Sequence, residues 1–274
     1  MSGPRRPDWP SRLLWIGGGA VFVFIYAPLL VVVMYSFHDS RIIAWPLQLG
    51  TLHWYNVLWH DRGMIEAVVA SVKLAVLAVI IALAVGVPGA FLLDRHSFPG
   101  KTLFQRLVLL PLILPGIITG VALLSFFTAI GLSPASGFPV IPGWPVVLGH
   151  GTALVSVVVT QVFARLQRMD RFQEEASMDL YASAWQTFWH VTLPNIRTAM
   201  LGAGLLVFTL SLDEIAVTYF LIGRQNTIPL EIWGRLRLGI TPEVNAISTI
   251  IFIVSVIVIV IWARLMRDPE GARA

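Results

Sequence analysis

Cysteine is absent from this 274-residue chain, which removes disulfides and thiolate metal sites from consideration. Charge is scarce as well. Only 12% of the residues are Asp, Glu, Lys or Arg, about half of the roughly 25% usual in a soluble domain. In their place 57% are hydrophobic, and the mean hydropathy is +0.79, the composition of an integral membrane protein. The basic residues stand singly between apolar runs and never cluster with aromatic platforms, so the net charge of +4 leaves no nucleic-acid footprint. No G-x-x-x-x-G-K-[ST] stretch occurs, and a nucleotide-cradling loop is missing with it. Metal-ligand spacing is missing too: His53 and His60 lie seven apart in one loop, and His150 and His190 are expected on opposite sides of a membrane. An embedded enzyme is left without visible chemistry.

What the chain has instead is long apolar runs. Crossing about 30 Å of hydrocarbon takes roughly 20 helical residues, and six runs are long enough: 13–37, 65–93, 103–130, 146–164, 196–222 and 244–266. Arg5, Arg6 and Arg12 precede the first run as they would a signal peptide, but that run is too long for a signal core and lacks a small-x-small end. The expected organisation is a cytoplasmic tail over 1–12, one all-α transmembrane domain of about six spans over 13–266, and a second cytoplasmic tail over 267–274. An even number of spans puts both termini on one side. Of the 19 Lys and Arg, thirteen fall in the tails and in the loops near 95, 106 and 165–197, leaving six opposite, which predicts that this side is cytoplasmic.

The loops opposite are of two kinds. The stretch 39–63 carries Trp45, Trp54 and Trp59 with Pro46 and Gly50 and is expected to anchor at the headgroup level. Residues 131–145 hold Pro134, Pro139, Pro142 and Pro145 without any charge, the composition of an irregular turn. The third span reads LVLLPLILPGIITG, with Pro111 and Pro115 each removing a backbone donor and Gly116 and Gly120 leaving room for a neighbour. Two readings fit it, a hinge lining a pathway or close packing of small-residue faces. In the fifth span Thr209, Ser211, Asp213 and Glu214 follow an apolar start, with Thr218 and Tyr219 one turn on. An acid at depth costs about 2.5 to 3.5 kcal/mol and needs a partner or a wet cavity. Successive positions point about 100° apart, so one acid can face a pathway while the other pairs with a neighbouring helix; ion pairs within the bundle are the plainer alternative.

One insert breaks the apolar pattern, EEASMDLYASAWQTFWHVTLP over 174–194, within a polar loop of about 165–195. Phe172, Ala176 and Leu180 recur every four residues, and Glu175 with Asp179 forms a second row, so a short helix is expected. Ser183 with Gln186 three residues later has the capping-box pattern, followed by Trp185, Phe188 and Trp189 on a second helix that Leu193 and Pro194 are expected to stop. An amphipathic hairpin lying on lipid would carry basic residues on its polar face, and between Phe172 and Ile196 there are none. A protein partner suits the two short helices better.

The stretch EASMDLYAS with Leu193 and Pro194 resembles the EAA loop of ABC-importer permeases, and LVLLPLILPGIITGVALL, FTLSLDEIAVTYFLIG, IPLEIW and PEVNA resemble the second membrane subunit of the spermidine/putrescine type. The resemblance runs from about residue 15 to 262. It implies a type I, MetI-like permease in a bacterial cytoplasmic (inner) membrane, paired with a second, homologous permease, an ATP-binding subunit dimer and an external substrate-binding protein. It implies no cofactor on this chain, with ATP and Mg held by the partner ATPase. The coupling residues it implies are Glu174, Glu175, Ala176, Ser177, Asp179, Tyr181, Ala182, Leu193 and Pro194, where Glu175 is the motif glutamate and Tyr181 stands at the usual glycine. A left-handed turn at Tyr181 would carry a penalty of about 1 kcal/mol that glycine avoids, so the tyrosine must either hold that turn or move the helix boundary. The expected substrate pathway runs along Thr209, Asp213, Glu214 and Tyr219, carrying polyamines or a related small cation. A rival class, a proton-coupled secondary transporter, would use Asp213 and Glu214 as a titrating relay and need no ATPase.

Overall fold

The computed structural model describes residues 9–40, 48–134, 143–239 and 241–265. Among the described residues the regular structure is helical, with a single isolated β-bridge joining His38 and Leu49. The tail residues 1–8 and 267–274, together with Trp45, Pro46, Pro139, Pro142 and Met266, lie outside the described residues.

In chain order the helices are α1 (Trp9–Ser36), α2 (His53–His60), α3 (Arg62–Arg95), α4 (Lys101–Ile113), α5 (Gly116–Ala129), α6 (Trp144–Ala153) and α7 (Val155–Arg168). There follow α8 (Phe172–Asp179), α9 (Ala184–Thr187), a π-helical turn (Phe188–Thr192), α10 (Leu193–Asp213), α11 (Ala216–Leu221), α12 (Ile228–Leu236) and α13 (Pro242–Leu265). Four helical stretches are long and apolar enough to cross a membrane unaided: Leu13–Ser36, Arg62–Arg95, Trp144–Arg168 and Ala184–Asp213. The pair α4 and α5 makes a fifth if counted as one bent span, and α13 supplies the apolar stretch Pro242–Ile257 where the sixth was expected.

The chain divides into two compact units. One comprises 1–62 and 234–274, where α13 packs on α1 and α2. Its loop overturns one expectation: Trp54 is buried, 2% exposed, and donates its indole N–H to the His38 carbonyl at 2.7 Å, so it is a core residue and not a headgroup anchor. A turn of helix folds the indole inward and gives its N–H a carbonyl to meet. Trp59 stays exposed, as an interfacial ring should.

The other unit, residues 63–233, carries every candidate site. Its core rests on a stripe along α3, Ala78, Ala82, Gly86 and Ala90, four residues apart and therefore on one face. Lipid tails are as apolar as leucine, so membrane helices gain by close backbone approach. A Cβ on Gly86 would lie 2.6 Å from Val158 Cβ of α7, nearer than two side chains can come. Ala82, Ala90, Val158, Val162, Ile196 and Val207 form the center of the core that α3, α7 and α10 share.

Two of the expected spans are interrupted. The run 103–130 is not one helix, because Pro115 holds Leu114 in extended backbone (φ −71°, ψ 137°) and α5 leaves α4 at 107°. The close-packing reading of its Pro–Gly pattern holds past the break: a Cβ on Gly120 would sit 2.7 Å from Phe220 Cδ2 and 3.1 Å from the Ala216 carbonyl of α11. The run 196–222 also departs from expectation. Its helix begins far earlier, at Ala184, and ends at Asp213, where Glu214 turns to φ −74°, ψ 119° before α11.

Candidate functional site

The insert begins where α7 ends at Arg168. Asp170 accepts the Phe172 N–H on its Oδ1 at 3.0 Å, and α8 follows with Glu174 and Glu175 in its first turn, where the helix dipole favours acids. Its two glutamates point opposite ways. Glu174 is half-buried: Oε1 accepts the Thr192 hydroxyl at 2.5 Å, and Oε2 lies 2.7 Å from Arg95 Nη2 at the end of α3. That second contact is an ion pair whose angle misses the hydrogen-bond direction, which leaves Nη2 without an aligned acceptor. Asp94 lies at the same corner, 3.3 Å from both Arg95 Nε and Arg171 Nη2. Two acids and two guanidinium groups thus tie α8 to the end of α3, and Thr192 ties it to the start of α10. Beside them opens a cavity of about 500 Å³ lined by Asp94, Lys101, Gln105, Gln167 and Arg171.

Glu175, by contrast, is exposed. With Phe172, Ala176, Asp179 and Leu180, all exposed, it forms an outer face of α8 that touches nothing else in the chain strongly enough to cover it. Ser177 is half-buried and shares a hydrogen bond of 3.0 Å with Thr187 of α9.

Tyr181 answers the question its position posed. It holds the left-handed turn, with φ +64°, and its side chain is 98% exposed. Its N–H donates to the Met178 carbonyl at 2.9 Å and the Ala182 N–H to the Ser177 carbonyl at 3.2 Å, the paired bonds of a Schellman C-cap. The two hydrogen bonds offset the steric cost of a non-glycine there, so α8 ends where a glycine would have ended it. The capping box also forms: Ser183 Oγ accepts the Gln186 N–H at 3.3 Å, and Gln186 Oε1 accepts the Ser183 N–H at 2.8 Å. Trp185 and Phe188 stack, and Trp189 meets both edge-on, with ring centroids 5.5 to 6.0 Å apart.

The second helix of the insert is corrected. Leu193 and Pro194 do not stop it. A π turn over Phe188–Thr192 shifts the bonding by one residue, the Leu193 N–H reaching the Phe188 carbonyl, and this widened turn lets the helix run on through Pro194, which would otherwise break it. Asn195 braces the junction, its amide donating to the Val191 carbonyl at 2.9 Å and to Gln173 Oε1 at 3.0 Å. The aromatic helix is therefore the first part of a 30-residue membrane helix, and α8 alone is a separate element.

At the far end of α10 the expected pathway residues separate. Thr209 and Asp213 share one exposed face, four residues apart along a stripe that otherwise shows Leu206 and Leu210. Glu214 turns away from them: half-buried, it accepts the Val217 N–H on Oε1 at 2.8 Å and so caps α11. Tyr219 is exposed on α11. Sequence reasoning named Ser211 and Thr218 in passing and set His150 aside as a scattered polar residue. The structure joins all three, His150 Nδ1 to Ser211 Oγ and Nε2 to Thr218 Oγ1, each at 2.8 Å. The break at Glu214 puts Ser211 and Thr218 on different helices, so their seven-residue spacing could not have signalled the contact, and nothing near His150 announces its partners.

Residues 86–268 match the family model described as binding-protein-dependent transport system inner membrane component. The chain belongs to that family. This inner membrane component is 35% identical over 269 residues to the putrescine transport system permease protein PotI of Escherichia coli K12, covering 97% of this chain and 93% of PotI. It is 30% identical to the spermidine/putrescine transport system permease protein PotC of the same strain, over 91% of this chain and 92% of PotC. In three dimensions it matches a chain of a bacterial ABC transporter involved in the import of alginate at a TM-score of 0.69, covering 98% and 99% of the two chains. A chain of the alginate transporter bound to its pentasaccharide-loaded periplasmic protein matches at 0.72, covering 95% and 94%. Both are 15% identical in sequence and establish the fold alone. The inner membrane component is accordingly a multi-pass, all-helical permease of MetI-like fold.

Proposed function

We propose that this chain is one of two permease subunits of an ATP-driven importer of polyamines, coupled through α8 to a separate ATPase. The observation that carries the coupling is the division of labour on α8: Glu174 is spent on holding the helix to α3 and α10, which leaves Glu175 and Asp179 exposed on a rigid mount. An acidic, partly apolar face anchored in this way suits a basic groove on a soluble partner. The absence of a phosphate-binding loop from the sequence is consistent with ATP and Mg being held by that partner. A second homologous permease, an ATPase dimer and an external binding protein complete the assembly, and the charge distribution supports cytoplasmic termini. Closure of the ATPase dimer would move α8, and the brace would pass the movement to α3 and to the continuous helix from Ala184 to Asp213.

The names of PotI and PotC support a polyamine as cargo. Asp213 is the acid suited to attract the amine, because its side chain is exposed where that of Glu214 is engaged as a cap. The decisive experiment is Glu175→Gln in the assembled transporter. The expected result is a folded permease with weakened co-purification of the ATPase and loss of transport-stimulated hydrolysis; unchanged copurification and hydrolysis would refute the coupling role. Asp213→Asn is expected to reduce putrescine uptake while ATPase assembly stays intact.

A further inference from the structure

Three buried polar residues without a role in the proposed function lie together at the break between α10 and α11. His150 of α6 is 2% exposed, Thr218 0% and Ser211 4%. Thr218 has a single hydroxyl proton, and it goes to the Glu214 carbonyl at 2.8 Å. Its oxygen therefore faces His150 Nε2 as an acceptor, which assigns the ring proton to Nε2 and leaves Nδ1 to accept the Ser211 hydroxyl. The bonds form a one-way chain: Ser211 on α10 donates to His150 on α6, His150 to Thr218 on α11, and Thr218 to the backbone at the break itself. The neighbouring Gly149 lets α6 come close enough, since a Cβ there would fall 2.5 Å from Leu221 Cδ1 of α11.

A helix interrupted in a bilayer frees carbonyls that water cannot reach, so the angle of the break is set by whichever fixed donors meet them. Here the Glu214 carbonyl takes the Thr218 hydroxyl, the last member of a connected series in which every side chain is buried. Asp213 is the last residue of α10, and Tyr219 lies on α11, so the angle between the two helices decides where both are presented.

We propose that His150 is a positioning residue for substrate: through Ser211 and Thr218 it sets the angle of the α10–α11 elbow and with it the placement of Asp213 and Tyr219. The inference rests on Asp213 as the amine-attracting acid. A histidine that only filled the core would affect assembly and leave affinity alone, so the test separates the two.

The assembled transporter is reconstituted in vesicles with putrescine as probe, carrying His150→Leu, His150→Gln or Thr218→Val. Leucine keeps an apolar bulk without hydrogen bonds, and glutamine restores a donor and an acceptor. His150→Leu is expected to raise KM for uptake about tenfold with kcat within about twofold, Thr218→Val to raise it about threefold, and His150→Gln to recover most of the loss. Amide hydrogen exchange across 211–219 is expected to rise in the Leu and Val variants. A wild-type KM in His150→Leu, or equal impairment by glutamine and leucine, would overturn the proposal. If His150→Leu does not assemble, Thr218→Val decides by the same criteria. Should the wild type take up no putrescine, the cargo reading fails by itself. The elbow is then judged on exchange alone: faster exchange supports it and unchanged exchange overturns it.

Discussion

The insert end and the elbow end of α10 both spend polar residues, and they spend them in opposite ways. At the insert, charge is paired at the edge of the fold: Glu174, Arg95, Asp94 and Arg171 interlock while Glu175 and Asp179 face outward. At the elbow no ion pair is present among the described residues; neutral hydroxyls and one imidazole close on each other, and Glu214 satisfies a backbone N–H of its own chain. Water and counter-ions can relax an acid at the insert more readily than at the elbow, where Asp213 nevertheless stays exposed, so its cost there calls for a wet cavity or a cationic solute. A surface built to meet a partner and a joint built to hold an angle thus differ in what remains unsatisfied.

Removing Arg95 should give the largest effect. Arg95→Ala takes a guanidinium from both Asp94, whose side chain is 4% exposed and which keeps Arg171, and Glu174, which keeps the Thr192 hydroxyl, and is expected to destabilise the permease by about 2 kcal/mol, the remaining partners and part-exposure trimming the larger loss of a fully buried pair. Thermal melting of the detergent-solubilised subunit reads it, and a charge swap combining Arg95→Glu with Glu174→Arg should recover part of the loss. At the elbow, Ser211→Ala removes one neutral donor to Nδ1 and is expected to cost about 1 to 2 kcal/mol in the same melt. An elbow substitution that cost more than Arg95→Ala would reverse the contrast drawn here. Tyr181→Gly should act the other way, stabilising by about 0.5 to 1 kcal/mol through relief of the left-handed φ, with ATPase co-purification unchanged unless the exposed ring itself meets the partner. The smallest effect is expected from Asp179→Asn. It relieves a like-charge pair four residues apart and gains a few tenths of a kcal/mol in the isolated permease, yet it should weaken ATPase docking, a sign reversal that a binding titration detects.

Much of this could be read before any coordinates. Membrane class, the positions of the apolar runs and the capping box at Ser183 follow from local pattern, because each is decided within one or two helical turns; at Tyr181 the sequence left two outcomes open, and the structure chose the left-handed turn. The interruption at Pro115 was signalled by the proline and its angle was not, since Gly120 meets Phe220 across a hundred residues. Continuity through Pro194 ran against the local signal, and a π turn made it possible.

The sequence by itself determined where the chain is apolar, where it is acidic and where the helix after Ser183 begins, because periodicity and capping act over a few residues. Tertiary structure alone decided which of two adjacent acids is free. Glu174 and Glu175 are alike in type, as are Asp213 and Glu214: Arg95, at the end of α3, claims Glu174, while Glu214 is claimed by the Val217 N–H three residues on, a donor left open because the helix breaks at Glu214. Side chains about 100° apart on a helix meet different neighbours, and only the packed fold says which neighbour carries a donor.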